Sequence, residues 1–267
     1  MQKASSNKKI ESIKYFACGY CVNKLKFIIK NPPQKTKNFY AGAFLLKHSK
    51  LGYILFDTGY SEDIYNCGFR GKLYNLINPT TVKKEDTIIY QLEKEGIKAK
   101  EIEYVILSHL HPDHIGGTKY FKNAKFILSE ECFNNYKNSR FMDLIFKKML
   151  PDDFENRVMI ISKFDKQFGK IAGNDLFLDG SIILTQINGH SRGQLCAYIP
   201  DEELMLGADA CWGQSFLDKA SEMHPLARFI QSNFEEYKNG INKFRKLRDS
   251  GIKIYFSHDD YDKKELI

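Results

Sequence analysis

Short apolar runs bounded by turn residues recur along the chain, interleaved with stretches whose apolar side chains fall at helical spacing. Residues 10–60 predict strands and turns, with 43–46 and 53–56 as the clearest strand-like runs. Further strands are expected over 103–107, 125–128, 158–162, 182–185, 195–199 and 204–207, and a last one just before Ser257. Helical spacing covers 85–96, where Gly96 stands as a C-cap, then 130–150 up to Pro151, and finally 234–249. Residues 130–150 and 214–233 carry apolar side chains beyond the strands, among them Phe141, Met142, Phe229 and Ile230, suited to packing, to a lid or to a pocket wall. Strands and helices alternate in two halves without a repeat, linker or low-complexity segment, which predicts an α/β protein with one domain over residues 1–267. The layer rule alone admits several α/β arrangements.

The most specific chemistry lies where the strand at 103–107 ends. Residues 108–117 place His109, His111, Asp113 and His114 on one loop. Pro112 biases His111 toward extended backbone, so His109 and His111 project to one side while Leu110 turns into the core. Two imidazoles then grip one ion. Asp113 and His114 begin a short helix, offset by roughly the 3.5 to 4 Å that separates the ions of two-metal hydrolases. Gly116 and Gly117 permit close backbone approach beside these side chains. Three histidines and an aspartate in six residues have few uses other than metal binding, because buried polar groups need partners.

The pattern His109-x-His111-x-Asp113-His114 resembles the signature of the metallo-β-lactamase superfamily, and four further motifs follow in that family's order. These are the turn Asp57-Thr58-Gly59 after a strand, His190 in a Gly-His turn, Asp209 after Met205-Leu206-Gly207-Ala208, and His258 after Lys253 to Phe256. The resemblance spans roughly residues 40 to 260 and implies a four-layer αβ/βα sandwich, two facing mixed sheets with helices outside. It implies that His109, His111 and His190 bind a first metal and that Asp113, His114 and His258 bind a second. Asp209 would bridge the two, and Asp113 and Asp209 would be the catalytic carboxylates. Asp57 would orient the ligands through hydrogen bonds, although Asp-Thr-Gly is also a serviceable turn in its own right.

The resemblance further implies two divalent ions, with zinc first for nitrogen and oxygen ligands and manganese, iron or cobalt as alternatives. A hydroxide bridging them would attack a carboxylic ester, lactone or thioester carbonyl. The layout is nearest to N-acyl-homoserine lactonases and their relatives, in which an aromatic hydroxyl stands three residues after the bridging aspartate. Trp212 occupies that position here, and an indole N–H donates one hydrogen bond but cannot act as an acid. Trp212 is therefore either a substrate contact or a core residue. A phosphodiesterase or nuclease with the same metal core is the alternative, and a metal-holding sensor with little turnover is another. An exported β-lactamase is disfavoured by Asp209 as the bridge. A flavin-linked diiron reductase is disfavoured by His111, which stands where those proteins resemble a glutamate ligand.

Composition changes the picture little. The hydrophobic fraction of 43% with no long apolar run predicts no membrane span. The start Met1 to Lys9 lacks an apolar signal core, so a cytoplasmic location is expected. The net charge of +7 is scattered, with modest clusters at Lys30 to Lys37 and Lys243 to Arg248, so a small-molecule partner is expected rather than nucleic acid. Cys18-Gly-Tyr-Cys21 is the one suggestive cysteine pair; it falls between strand-like segments 13–16 and 25–29 and predicts a strand-edge pair without redox duty. Cys211 lies near Asp209, but the nitrogen and oxygen donors already complete two sites. His224 and Arg228, one helical turn apart, suit a carboxylate clasp or, more simply, the surface.

Overall fold

Alternating β-branched and aromatic side chains drive two sheets together in the computed structural model, which describes residues 8–261 and 265–267. The N-terminal stretch Met1 to Asn7 lies outside the described residues. The first sheet contains β1 (Ile10–Lys24), β2 (Thr36–His48), β3 (Gly52–Phe56), β4 (Thr80–Thr81), β5 (Ile102–Ile106), β6 (Lys125–Ser129) and β7 (Val158–Ile161), in the order β4-β1-β2-β3-β5-β6-β7. Its β1, β2, β3 and β4 pair antiparallel, whereas β3, β5, β6 and β7 run parallel. The second sheet contains β8 (Lys166–Phe168), β9 (Ile171–Asp175), β10 (Ile183–Gln186), β11 (Leu195–Ile199), β12 (Leu204–Ala208) and β13 (Lys253–Phe256), in the order β13-β12-β11-β10-β9-β8. Only its β12–β13 pair is parallel.

Three apolar layers follow from this pairing. Tyr15, Phe44, Phe56 and Ile106 of the first sheet meet Leu184, Leu195 and Leu206 of the second. On the outer face of the first sheet, Leu45, Leu55, Val105 and Phe126 pack with side chains from α1 (Gly68–Ile77), α2 (Ile88–Lys94) and α4 (Glu130–Lys137). On the outer face of the second, Cys196 and Met205 pack with α5 (Gln214–Leu217), α6 (Pro225–Phe229) and α7 (Phe234–Asp249). Helix α3 (Pro112–Ile115) carries part of the histidine loop. This is the expected αβ/βα sandwich.

Helix α7 matches its predicted span because its signals are local: Asn233 accepts hydrogen bonds from the backbone of Glu235 and Glu236, and Tyr237, Ile241, Phe244 and Leu247 form one buried face. Helix α2 also closes as expected, with Gly96 at φ +76° and Ile97 N donating to Leu92 O. Three expectations fail. The helix expected over 130–150 stops at Lys137; two 3-10 turns follow, separated by Leu144 in the left-handed region at φ +52°. Residues 25–29 form a 3-10 turn at Leu25–Phe27 rather than a strand. Cys18 and Cys21 consequently lie within one long strand, β1, with a register shift between Ala17 and Tyr20 at Gly19. Both are buried, and β1 is flanked by β2 and, at Tyr20 and Cys21, by β4, so the pair is interior to the sheet there. Among the described residues no helix is long and apolar enough to cross a membrane.

Candidate metal centre

Five strands deliver polar side chains to one end of the sandwich: Asp57 follows β3, His109 follows β5, His190 follows β10, and Asp209 and His258 follow β12 and β13. Asp57 and Ala208, the residue before Asp209, adopt φ +59° and +45°. Such left-handed backbone costs a non-glycine residue of order 1–3 kcal/mol, and it concentrates at sites that need a particular side-chain direction. Gly189, at φ +124°, turns the chain into His190 so close to α7 that an added Cβ would lie 2.2 Å from Tyr237 N.

The Asp57-Thr58-Gly59 turn laces the histidine loop in place. Thr58 N and Oγ1 both donate to His114 O at 2.8 Å, Gly116 N donates to Gly59 O at 2.8 Å, and Gly117 N donates to Thr58 Oγ1 at 3.0 Å. His111 caps α3 in extended backbone, φ −72° and ψ 156°, ahead of Pro112, and Leu110 is buried in the core. The two sheets are stitched here as well, since Leu195 N donates to Ser108 O.

Each imidazole except His111 is oriented by an acceptor at Nδ1. His114 Nδ1 donates to Asp57 Oδ2 at 2.7 Å. Ser108 gives its backbone N–H to Asp57 Oδ1 and its hydroxyl proton to Asp57 Oδ2, both at 2.8 Å, so its oxygen accepts from His109 Nδ1 at 3.0 Å. His190 Nδ1 donates to Gln231 Oε1 at 3.0 Å, and His258 Nδ1 donates to Tyr40 O at 2.7 Å. The Nε2 atoms of these four rings are thereby left for the interior, the arrangement that fixes metal-binding histidines. His111 instead turns Nδ1 inward, 3.0 Å from His190 Nε2.

The donors fall into two groups. His109, His111 and His190 form one, and Asp113, His114, Asp209 and His258 form the other; within each, the candidate ligand atoms lie within 4.8 Å of one another. Asp209 touches both, with Oδ2 2.9 Å from His258 Nε2 and 3.3 Å from His190 Nε2, and Oδ1 3.3 Å from His114 Nε2. Asp113 Oδ2 stands 3.7 Å from both His114 Nε2 and His258 Nε2. His109 Nε2, His114 Nε2 and Asp209 Oδ1 are buried without a hydrogen-bond partner. Unsatisfied buried donors and acceptors are costly, and this set of imidazole and carboxylate atoms fits divalent cations.

Electrostatics separates the two groups. Burial, reinforced by neighbouring histidines, holds His109 and His111 well below the usual imidazole range, and burial also lowers His190. Burial acts on His114 and His258 in the same direction but is outweighed by Asp209 and the other carboxylates, which raise both. Asp209 is likewise penalised by burial yet held well below the carboxylate range by His258 and His114. The first group thus offers neutral imidazoles, whereas the second must release protons to accept a cation.

All seven residues expected as ligands converge, and Asp57 stands behind His114. Trp212 is buried on the apolar side of the centre, its ring 5.9 Å from His190 and 6.2 Å from Tyr237, and its indole N–H makes no hydrogen bond within the described residues. Cys211 is buried with its thiol donating to Gly213 O. His224 and Arg228 are engaged with nearby backbone: His224 Nδ1 accepts from Leu226 N, while Arg228 donates to Met223 O and Ser221 O. Ser108, Gln231 and the Tyr40 carbonyl are additions from the structure. Ser108 borders the histidine motif and was open to notice; Gln231 and Tyr40 have no local signal.

Above the centre a cavity of about 310 Å³ opens onto His111 and His190. Leu73, Tyr74 and Ile77 of α1 line it together with Phe141, Phe229 and Ile230.

Fold and site together define a class, and the chain belongs to the metallo-beta-lactamase superfamily, whose model matches residues 43–258. An N-acyl homoserine lactonase from Bacillus cereus is 24% identical over 237 residues, covering 85% of this chain and 84% of that protein. The metallo-hydrolase mfmC from Annulohypoxylon moriforme is 27% identical over 180 residues, 63% of this chain, which spans about half (47%) of that relative's length. Among solved structures, an N-acyl homoserine lactone hydrolase with the product N-hexanoyl-L-homoserine at its catalytic metal center superposes with a TM-score of 0.73 at 22% identity, covering 94% of each chain.

Removing the Asp57 charge should loosen His114 without touching a donor atom. Asp57→Asn is expected to weaken metal binding at the second group about 10- to 100-fold, the usual cost of losing such an orienting partner. Metal titration with a competing chelator measures it, and an unchanged affinity would reduce Asp57 to a turn residue.

Proposed function

We propose that this superfamily member is a dimetal hydrolase cleaving a carboxylic ester, lactone or thioester. The observation that carries the reading is Asp209 reaching histidines of both donor groups beneath an apolar cavity. In this reading His109, His111 and His190 hold one ion, Asp113, His114 and His258 hold another, and Asp209 joins them. Zinc is the first choice for such donors, with manganese, iron and cobalt as alternatives. When bound, two such ions supply Lewis acidity and bring the pKa of water toward neutrality.

The chain's own groups do the rest. Asp57, Ser108, Gln231 and Tyr40 hold the imidazoles in the tautomers that leave their inner nitrogens available. Asp209, held ionised by His258 and His114, keeps negative charge next to the reacting centre, Asp113 adds its carboxyl group there, and the apolar wall excludes water from the acyl part of a substrate. The Trp212 indole N–H, without a hydrogen bond among the described residues, donates to the substrate carbonyl. Trp212→Phe is then expected to lower kcat about tenfold with little change in KM, the loss of one hydrogen bond; an unchanged kcat would make Trp212 a core residue.

Lactones come first because the Bacillus cereus relative is an N-acyl homoserine lactonase. The deciding experiment is elemental analysis of the purified chain with parallel panels of lactones, esters and thioesters, and of phosphodiesters. Two metals with acyl hydrolysis are expected. Phosphodiester cleavage alone would replace this reading with the other chemistry of such a centre, and metals with neither activity would favour a sensor.

A further inference from the structure

The cavity carries a charge that the hydrolytic centre does not use. Three formally charged side chains besides the histidines line it: Arg70, Asp143 and Arg192. Arg70 is committed, donating to Phe141 O at 2.8 Å and Ile145 O at 3.3 Å while its guanidinium lies over the rings of Phe141 and Phe146. Asp143 accepts from the backbone N–H of Arg140. Arg192 is exposed and has neither a hydrogen bond nor an ion pair within the described residues. Its backbone is nevertheless fixed, because Gly193 N donates to Asn188 Oδ1 and Gly193 O accepts from Ser129 Oγ. A rigid turn therefore presents an uncommitted guanidinium to the cavity two residues beyond His190.

Part of the same cavity's lining is apolar and strongly exposed. Phe229 is 74% and Ile77 63% accessible, and Ile230 is 50% accessible. Contiguous exposed apolar surface beside a polar site marks a ligand contact. A guanidinium bordering such a wall is better placed to bind an anion than one in open water, and its planar fork suits a carboxylate or phosphate.

We propose that the substrate is an anionic amphiphile whose acyl chain lies along Ile77, Phe229 and Ile230 and whose leaving group carries a carboxylate or phosphate held by Arg192. The position of Arg192 next to His190 places that anion near the scissile bond, hence on the leaving group rather than at the far end of the acyl chain. The inference rests on the acyl-hydrolase reading and narrows it from lactones to open-chain esters or thioesters. Water adds its oxygen to the acyl carbon, the bond to the alcohol or thiol breaks, and the departing group takes the proton.

Binding and turnover are tested separately on the metal-loaded full chain. The first probes are hydrolysis-resistant thioethers, S-hexyl derivatives of 2-mercaptoethanol, 3-mercaptopropionate and 2-mercaptoethyl phosphate, titrated calorimetrically. The anionic thioethers are expected to bind about 10- to 100-fold more tightly than the neutral one, the range for a hydrogen bond to a charged group. Arg192→Gln should remove that preference without changing neutral binding, and Arg192→Lys should restore part of it. Whichever anion gains more identifies the leaving group. Equal binding of all three to the unmodified protein, or a preference that survives Arg192→Gln, would overturn the assignment. Turnover of the matching hexanoyl thioesters then examines the underlying reading: an Arg192-dependent preference without turnover leaves the anion subsite standing and removes the hydrolase.

Discussion

The double variant His109→Ala and His111→Ala is expected to fold, to lose the first metal and to lose at least about 10³-fold in hydrolytic rate, more than follows from deleting one oxyanion donor. Folding should survive because burial has already made both rings neutral, so no buried countercharge is stranded. His109 gives up one hydrogen bond, to Ser108, and that hydroxyl stays bonded to Asp57. The lost side-chain volume leaves a polar space open to the cavity at His111, which water fills at modest cost. Circular dichroism, elemental analysis and turnover on the best substrate form the test. A metal-depleted variant with undiminished turnover would refute the proposed chemistry.

Asp209→Ala is expected to reduce the metal content from two ions toward one and to bring activity down by a comparable factor. Asp209 is the main group raising His258 and, among the carboxylates, the first of those raising His114, so its loss moves both pKa values down. Those rings respond by releasing protons rather than staying charged in a buried site, which limits the stability cost below the 3–5 kcal/mol of a stranded buried charge. The sign in the metal-free protein is definite. Raised His114 and His258 contribute stability below the unfolded imidazole pKa near 6.5, and that contribution disappears as pH rises through their raised folded values. Asp209→Ala should flatten this dependence, seen as a smaller decline of apo Tm as pH rises above about 6.5. Unchanged metal stoichiometry would mean that Asp209 does not join the two groups.

The legible part of this molecule was local. Strands such as β5, β11 and β12 were marked by dense apolar runs, and the loop from Ser108 to Gly117 placed four donor side chains within six residues. Asp57, His190, Asp209 and His258 were found through motifs that follow strands. Other elements carried contrary or absent signals. Helix α1 begins with Gly68 and contains Gly71, whose missing side chain accommodates Ile64 O at 2.7 Å from an added Cβ; its composition gave no helical prediction. The apolar spacing of 130–150 continued past Lys137, but Asn138 and Ser139 favour local side-chain hydrogen bonds over helix, and the backbone turns there. The acceptors that orient His190 and His258 were hidden for a different reason. Gln231 is 41 positions from its partner, and the Tyr40 carbonyl, 218 positions away, is backbone that every residue possesses.

The inward-facing donors come from strand ends of both sheets, separated by as much as 149 positions between His109 and His258. An ion that binds them only when the sheets are joined acts by mass action on folding itself, adding about 2.7 kcal/mol when its free concentration is a hundred times its Kd. Melting temperature then belongs to the protein and its medium together. Two preparations of identical sequence that differ only in the amount of such an ion are different thermodynamic samples, and a chelating buffer that withdraws the ion withdraws its share of the stability.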